Sequence, residues 1–146
     1  MKNLFSLGYY LHLTSGYAKM FASQSLHGAE VTPEQYGILY LLTVEDGLYQ
    51  RQFSRFLVKD RPNISRMLDI LEKKGYLYRK QDENCKRKVK VYITLQGKKL
   101  VEDLDEIKQE IVKEIASPLS KDEHEQLLNL LEKVRKNLED KIKIQL

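Results

Sequence analysis

Over the first 28 residues, Leu4, Leu7, Leu11, Ala18 and Phe21 recur at spacings of three, four and seven. That period predicts one amphipathic helix, weakened slightly by Gly8 and Gly16 and stopped by Gly28. Thr32-Pro33-Glu34-Gln35 is a capping box that opens a second helix to about Val44. This helix is almost wholly apolar through Tyr36, Ile38, Leu39, Leu41 and Leu42, so burial on most sides is expected, and Glu45-Asp46-Gly47 breaks it. A short helix over Tyr49–Val58 is expected to turn Phe53, Phe56 and Leu57 inward and leave Gln50, Arg51, Gln52 and Arg55 outside. Asp60 then caps a helix that begins Arg61-Pro62-Asn63 and runs to Lys74, where Gly75 stops it. On a helical wheel Ile64, Met67, Leu68 and Leu71 share one side; Pro62, Arg66, Asp69 and Lys73 lie nearly opposite, flanked by Asn63 and Ser65.

The period then shortens to two. Leu77-Tyr78-Arg79-Lys80 and Val89-Lys90-Val91-Tyr92-Ile93 read as strands around the polar loop Gln81–Lys88, a hairpin with a charged tip, and only these two strands are evident. Thr94 restarts helix, with Leu100, Leu104, Ile107, Ile111 and Ile115 in one stripe ended by Pro118. Ser120-Lys121-Asp122-Glu123 opens a last helix with Leu127, Leu131, Val134, Leu138 and Ile142 on one face. Both of these helices exceed twenty residues, and so small a chain has too little core to cover their stripes and that of the first helix. A homodimer built from both chain ends is expected. The fold class is mainly α: a winged helix-turn-helix with a two-stranded wing and long N- and C-terminal dimerisation helices. Residues 1–30 form the first of these, 31–95 a winged helix-turn-helix DNA-binding domain and 96–146 the C-terminal ones.

Composition sharpens this picture. With 146 residues, 42% apolar and 32% charged, the chain builds a core and is not disordered. No apolar run suffices to span a bilayer, and Met1-Lys2-Asn3 leads into no signal-peptide pattern, so a cytoplasmic protein without a membrane partner is expected. Cys85 stands alone, and His12, His27 and His124 lack ligand spacing, so neither metal nor cofactor is expected. The net charge of +4 is unevenly divided: residues 1–46 carry −2, residues 47–100 carry +10 and residues 101–146 carry −4. A basic middle between acidic flanks points to a polyanion at the middle. A helix with one apolar and one basic face suits the major groove, and a hairpin tipped by Lys86-Arg87-Lys88 suits the backbone or minor groove. The competing reading is a winged helix that contacts protein, its basic face merely solvated.

Asp60-Arg61-Pro62-Asn63-Ile64-Ser65-Arg66, Leu68-Asp69, Leu71-Glu72, Gly75-Tyr76-Leu77 and Arg79 together resemble the multiple-antibiotic-resistance regulator (MarR) family. The likeness continues through Asp82, Arg87, Val91-Tyr92-Ile93-Thr94 and Gly97, and with the flanking helices it covers essentially the whole chain. It implies a homodimeric regulator, most simply a repressor, of pseudo-palindromic operator DNA, released by small anionic or phenolic effectors or by oxidation. By position, Arg61, Asn63, Ser65 and Arg66 resemble recognition-helix contacts and Arg87 the wing-tip arginine; Gln50, Arg51, Pro62, Lys86 and Lys88 complete the candidate DNA-binding set. The family usually has an Asp two residues before that arginine, where this chain has Cys85, and Glu83 is a candidate substitute.

Tyrosines crowd the first two helices, which suits interface packing; the resemblance adds a sharper reading, in which His12, Tyr17, Tyr36 and Tyr40 line an effector pocket. Cys85, beside Lys86, Arg87 and Lys88, is expected to be exposed and to favour its thiolate, so that oxidation would repel phosphate from the wing. No Gly-rich phosphate loop, His-Glu-x-x-His, nucleophile elbow or carboxylate pair is present, and an enzyme is not expected.

Overall fold

The computed structural model describes residues 6–142, so Leu4 and the Met1-Lys2-Asn3 start lie outside the described residues. Its helices begin where side chains satisfy free amides. Ser6 caps α1 (Leu7–Ser25), and Thr32 and Gln35 exchange hydrogen bonds at the start of α2 (Pro33–Val44). After β1 (Leu48–Tyr49) come α3 (Gln50–Leu57) and α4 (Arg61–Lys73), the latter capped by the Asp60 carboxylate, which accepts from the Asn63 amide at 2.9 Å. Between α3 and α4, Val58 takes a left-handed conformation at φ 51°. Gly75, at φ 79°, makes the turn from α4 into β2 (Leu77–Gln81), and β3 (Val89–Ile93) returns beside it. Then follow α5 (Leu95–Asp103), α6 (Asp105–Ala116) and α7 (Lys121–Lys141).

Four features differ from expectation. The wing belongs to a three-stranded antiparallel sheet ordered β1-β3-β2, in which Leu48 pairs with Val91 and Leu77 with Ile93. Two residues are too few to show a period, which hides β1 from the sequence. Asp46 fixes its position by accepting from the amides of Gly47 and Ile93 at 3.1 and 2.9 Å. Second, the helix expected from Thr94 to Pro118 breaks at Leu104 (φ −96°, ψ 1°), whose amide is shared by the carbonyls of Leu100 and Glu102 and whose side chain drops into the core. The acidic first turn Asp105-Glu106 then suits a new helix start. Third, Phe56 faces outward, 52% exposed, because Phe53 and Leu57, one turn apart, supply the face that α3 turns to the core. Fourth, Ile142 leaves the last helix with an extended ψ of 111°.

The core sits inside the central segment. Ile38, Leu39 and Leu42 of α2, Phe53 of α3, Ile64, Leu68 and Leu71 of α4, Leu77 of β2 and Val91 of β3 are fully buried. The outer helices contrast with this: no residue of α1, α6 or α7 is buried. Leu7, Tyr17, Met20, Val112, Leu128 and Leu138 are among their exposed large side chains. α1 packs on α6, and Ile107 and Ile111 reach the core's edge.

α5 is locked to the sheet through Thr94. Its hydroxyl donates to the Gly75 carbonyl at 2.6 Å and accepts from the Gly97 amide, while its own amide donates to the Tyr76 carbonyl. At Gly97 an added Cβ would overlap that same carbonyl oxygen and lie 2.8 Å from Ile93 Cγ1. Gly97→Ala is therefore expected to destabilise the fold by at least ~2 kcal/mol, lowering Tm by roughly 5 °C or more in a thermal melt.

Candidate nucleic-acid interface

α3, α4 and the hairpin converge on one side of the core. Gln50, Arg51, Arg61, Arg87 and Lys88 line one cleft of about 330 Å³, floored by Ile64 and Val89. Residues 47–100, which contain it, hold the +10. Pro62 and Arg66 stand exposed on α4, with Asn63 and Ser65 half-buried beside them. The Arg66 guanidinium donates to the Asn63 side-chain carbonyl at 2.6 Å, so these two polar groups occupy each other here. Lys86 is exposed at the hairpin tip, outside the cleft.

Two contacts unforeseen from the sequence hold this surface together. Arg79 on β2 reaches α4: its Nε and Nη2 donate to Glu72 at 3.1 and 2.7 Å, and its amide donates to the same carboxylate at 2.8 Å. Nη2 also donates to Asp69. Asp69 therefore serves the wing rather than the outward polar face of α4. At the hairpin's far end the Tyr49 phenol donates to Asp82 Oδ2 at 2.6 Å. Its ring lies 5.5, 5.5 and 5.2 Å from the cationic groups of Arg51, Lys88 and Lys90. Accepting from Tyr49 holds the Asp82 carboxyl below its ordinary range, and the same bond raises the phenol's pKa. Sequence signals for these partners are faint, since Tyr49 and Asp82 are 33 residues apart.

Asp82 also accepts from the Asn84 amide and closes the tip turn, whereas Glu83 only meets Lys80 at 3.4 Å on the surface. The Glu83 pair thus stays within the hairpin and does not tie it to the helices. Cys85 is half-buried rather than exposed, because its amide and carbonyl are tied to Asp82 and Lys88 within the turn. Of the effector candidates, Tyr36 and Tyr40 stack at 6.1 Å, with Lys108 Nζ 4.7 Å from the Tyr40 ring centroid. His12 and Tyr17 lie exposed on α1, and none of the four lines the cleft between α3, α4 and the hairpin. No described helix is long and apolar enough to cross a membrane.

A capped helix following a short helix, with a basic β-hairpin clamped at its side, defines a winged helix-turn-helix regulator. The MarR family model matches residues 31–89. The structure superposes on the Staphylococcus aureus MepR–DNA complex with a TM-score of 0.81 and 32% identity, covering 91% of this chain and 98% of that one. An E. coli MarR variant complexed with operator DNA gives a TM-score of 0.81 at 26% identity, covering 90% and 95%. An HTH-type regulator of Bacillus subtilis, YkoM, is 29% identical over 129 residues, 84% of each protein. The chain belongs to the MarR family of transcriptional regulators.

The Arg79 clamp is pH-dependent. The guanidinium's hydrogen bonds hold the Glu72 pKa below its ordinary value of 4.5. With the folded-state pKa depressed, the pair's contribution is complete above about pH 5 and lost as pH falls through the folded value. Arg79→Ala is expected to lower Tm by about 3 °C near pH 7, for a partly exposed pair worth ~1 kcal/mol, and by much less near pH 3. Paired melts of both proteins at the two pH values check this.

Proposed function

We propose that the chain is a cytoplasmic homodimeric repressor that sets α4 into the major groove of a pseudo-palindromic operator and lays its wing along the flanking backbone. The observation that carries this reading is the gathering of Gln50, Arg51, Arg61, Arg87 and Lys88 from three elements onto one cleft within the +10 segment. Asn63 and Arg66 then read base edges; Arg61, Pro62 and Ser65 fit α4 to the groove; and Lys86, Arg87 and Lys88 meet phosphate. The two DNA complexes among its structural neighbours support this use of the fold.

Residues 1–30 and 96–146 are the proposed dimerisation parts and residues 31–95 the DNA-binding part. The exposed large apolar side chains of α1, α6 and α7, none of which has a fully buried residue, support association. A small anionic or phenolic effector is the proposed release signal, with His12, Tyr17, Tyr36 and Tyr40 as its candidate contacts and oxidation of Cys85 as a secondary route. No catalysis is proposed.

Sedimentation at micromolar concentration is expected to give twice the 17.2 kDa chain mass. A stable monomer that binds an inverted repeat tightly would falsify the dimer.

Footprinting is expected to show an inverted repeat protected in the DNA beside the coding region. Asn63→Ala and Arg66→Ala should each weaken that site by about 1–3 kcal/mol, roughly five- to hundred-fold. Their effects should not add, since the two side chains already share a hydrogen bond. Arg87→Ala should instead weaken all sequences evenly and reduce the salt slope by about 1. Wild-type operator affinity in both α4 variants would show that α4 is not the reading helix.

A further inference from the structure

We propose that Tyr49 is a positioning residue for DNA recognition, fixing the wing tip against the helix-turn-helix through Asp82 and gathering their cations about its ring. The inference rests on the DNA-binding reading above. Tyr49 stands where the two parts meet: it ends β1, pairs with Lys90 of β3 and directly precedes α3. Its backbone is fixed, because its amide donates to the Gln52 side chain at 2.7 Å. The apolar work of β1 falls to Leu48, which is 2% exposed in the core. The Tyr49 side chain is only half-buried, and its recorded partners are polar or charged.

Those partners divide between the two bodies. Arg51 belongs to α3, while Asp82, Lys88 and Lys90 belong to the wing. Three like charges converge on one ring, an arrangement that costs repulsion unless the π-face and the nearby Asp82 carboxylate offset it. Asp82 passes the constraint to the tip. Its Oδ1 accepts from the Asn84 amide at 2.9 Å, its carbonyl accepts from the Cys85 amide, and its amide donates to the Lys88 carbonyl at 2.9 Å. Arg87 lies inside that turn and lines the cleft beside Tyr49. One phenolic hydrogen bond therefore governs where the wing's arginine stands relative to α3 and α4.

Tyr49→Phe removes the bond and keeps the ring. The natural thiol of Cys85, held within the same turn, reports tip order through its rate of reaction with a disulfide reagent. The expected result is labelling about 3- to 10-fold faster in Tyr49→Phe, the loss of one hydrogen bond's constraint, with Tm lowered by no more than about 4 °C. Asp82→Ala, which also removes the Asn84 bond, should label at least as fast, and adding Tyr49→Phe to it should bring no further increase. Operator affinity should fall by a similar factor. The Arg87→Ala penalty should shrink in the Tyr49→Phe background while the Asn63→Ala penalty stays whole, a selectivity that general destabilisation cannot produce. Unchanged labelling, or a full Arg87→Ala penalty in Tyr49→Phe, overturns the proposal. Failure of the wild type to bind any operator sinks the DNA reading alone, and the labelling rates still decide whether Tyr49 orders the tip.

Discussion

Arg79 satisfies two carboxylates of α4 from a position on the first wing strand, and the rest of the basic surface depends on that reach. A two-stranded hairpin is marginal by itself. This one is joined to a helix by a guanidinium that is only 22% exposed, and its amide contributes a further bond to Glu72. The same contact removes a defect from α4: Asp69 and Glu72 would otherwise present negative charge beside Arg66. By pairing with both from behind, Arg79 offsets one of their two charges and leaves the outward side of α4 to Arg61, Asn63, Ser65 and Arg66. Fixing the wing and exposing a basic surface are thus one physical event.

Burial explains why the chain has two kinds of surface. The fully buried residues belong to α2, α3, α4 and the sheet, and α5 closes that core with Val101 while Gly97 permits its close approach to the Tyr76 carbonyl. The break at Leu104 then redirects the chain, so that α6 runs to α1 rather than over the sheet. Beyond it, Ile107 and Ile111 touch the core's edge while Val112 and Ile115 stay outside, 60% and 51% exposed. The outer helices therefore offer apolar surface that the central unit neither covers nor needs.

Features carried by local chemistry were legible in the sequence. Thr32, Asp60, Thr94 and Ser120 all cap helices as their side chains dictate, and the period-two run from Val89 to Ile93 is a strand. What escaped was set by long-range contact or by a departure from local preference. The two residues of β1 have strand character only because β3 lies beside them. Val58 adopts a left-handed turn where glycine is customary, so no residue announced that turn. Phe56 is apolar yet outward because Phe53 and Leu57 take the inward face of α3, and Cys85 sits in a charged tip yet is half-buried within its turn. Of the site itself, the basic residues were readable by type, whereas Tyr49, Asp82 and Arg79 acquire their roles only through folding.

The uneven charge finally bears on how a duplex approaches. At physiological salt, field lines from exposed charges fade over about 8 Å, so a duplex responds to the surface it meets rather than to the chain's overall +4. The central segment attracts it with +10, while the flanks, at −2 and −4, repel it. The second flank contains α6 and α7, helices with unburied apolar surface, and their acidic side chains disfavour DNA there. The cations about Tyr49 favour instead the face that Arg79 keeps clear. Orientation is thereby selected during encounter, before any base is read.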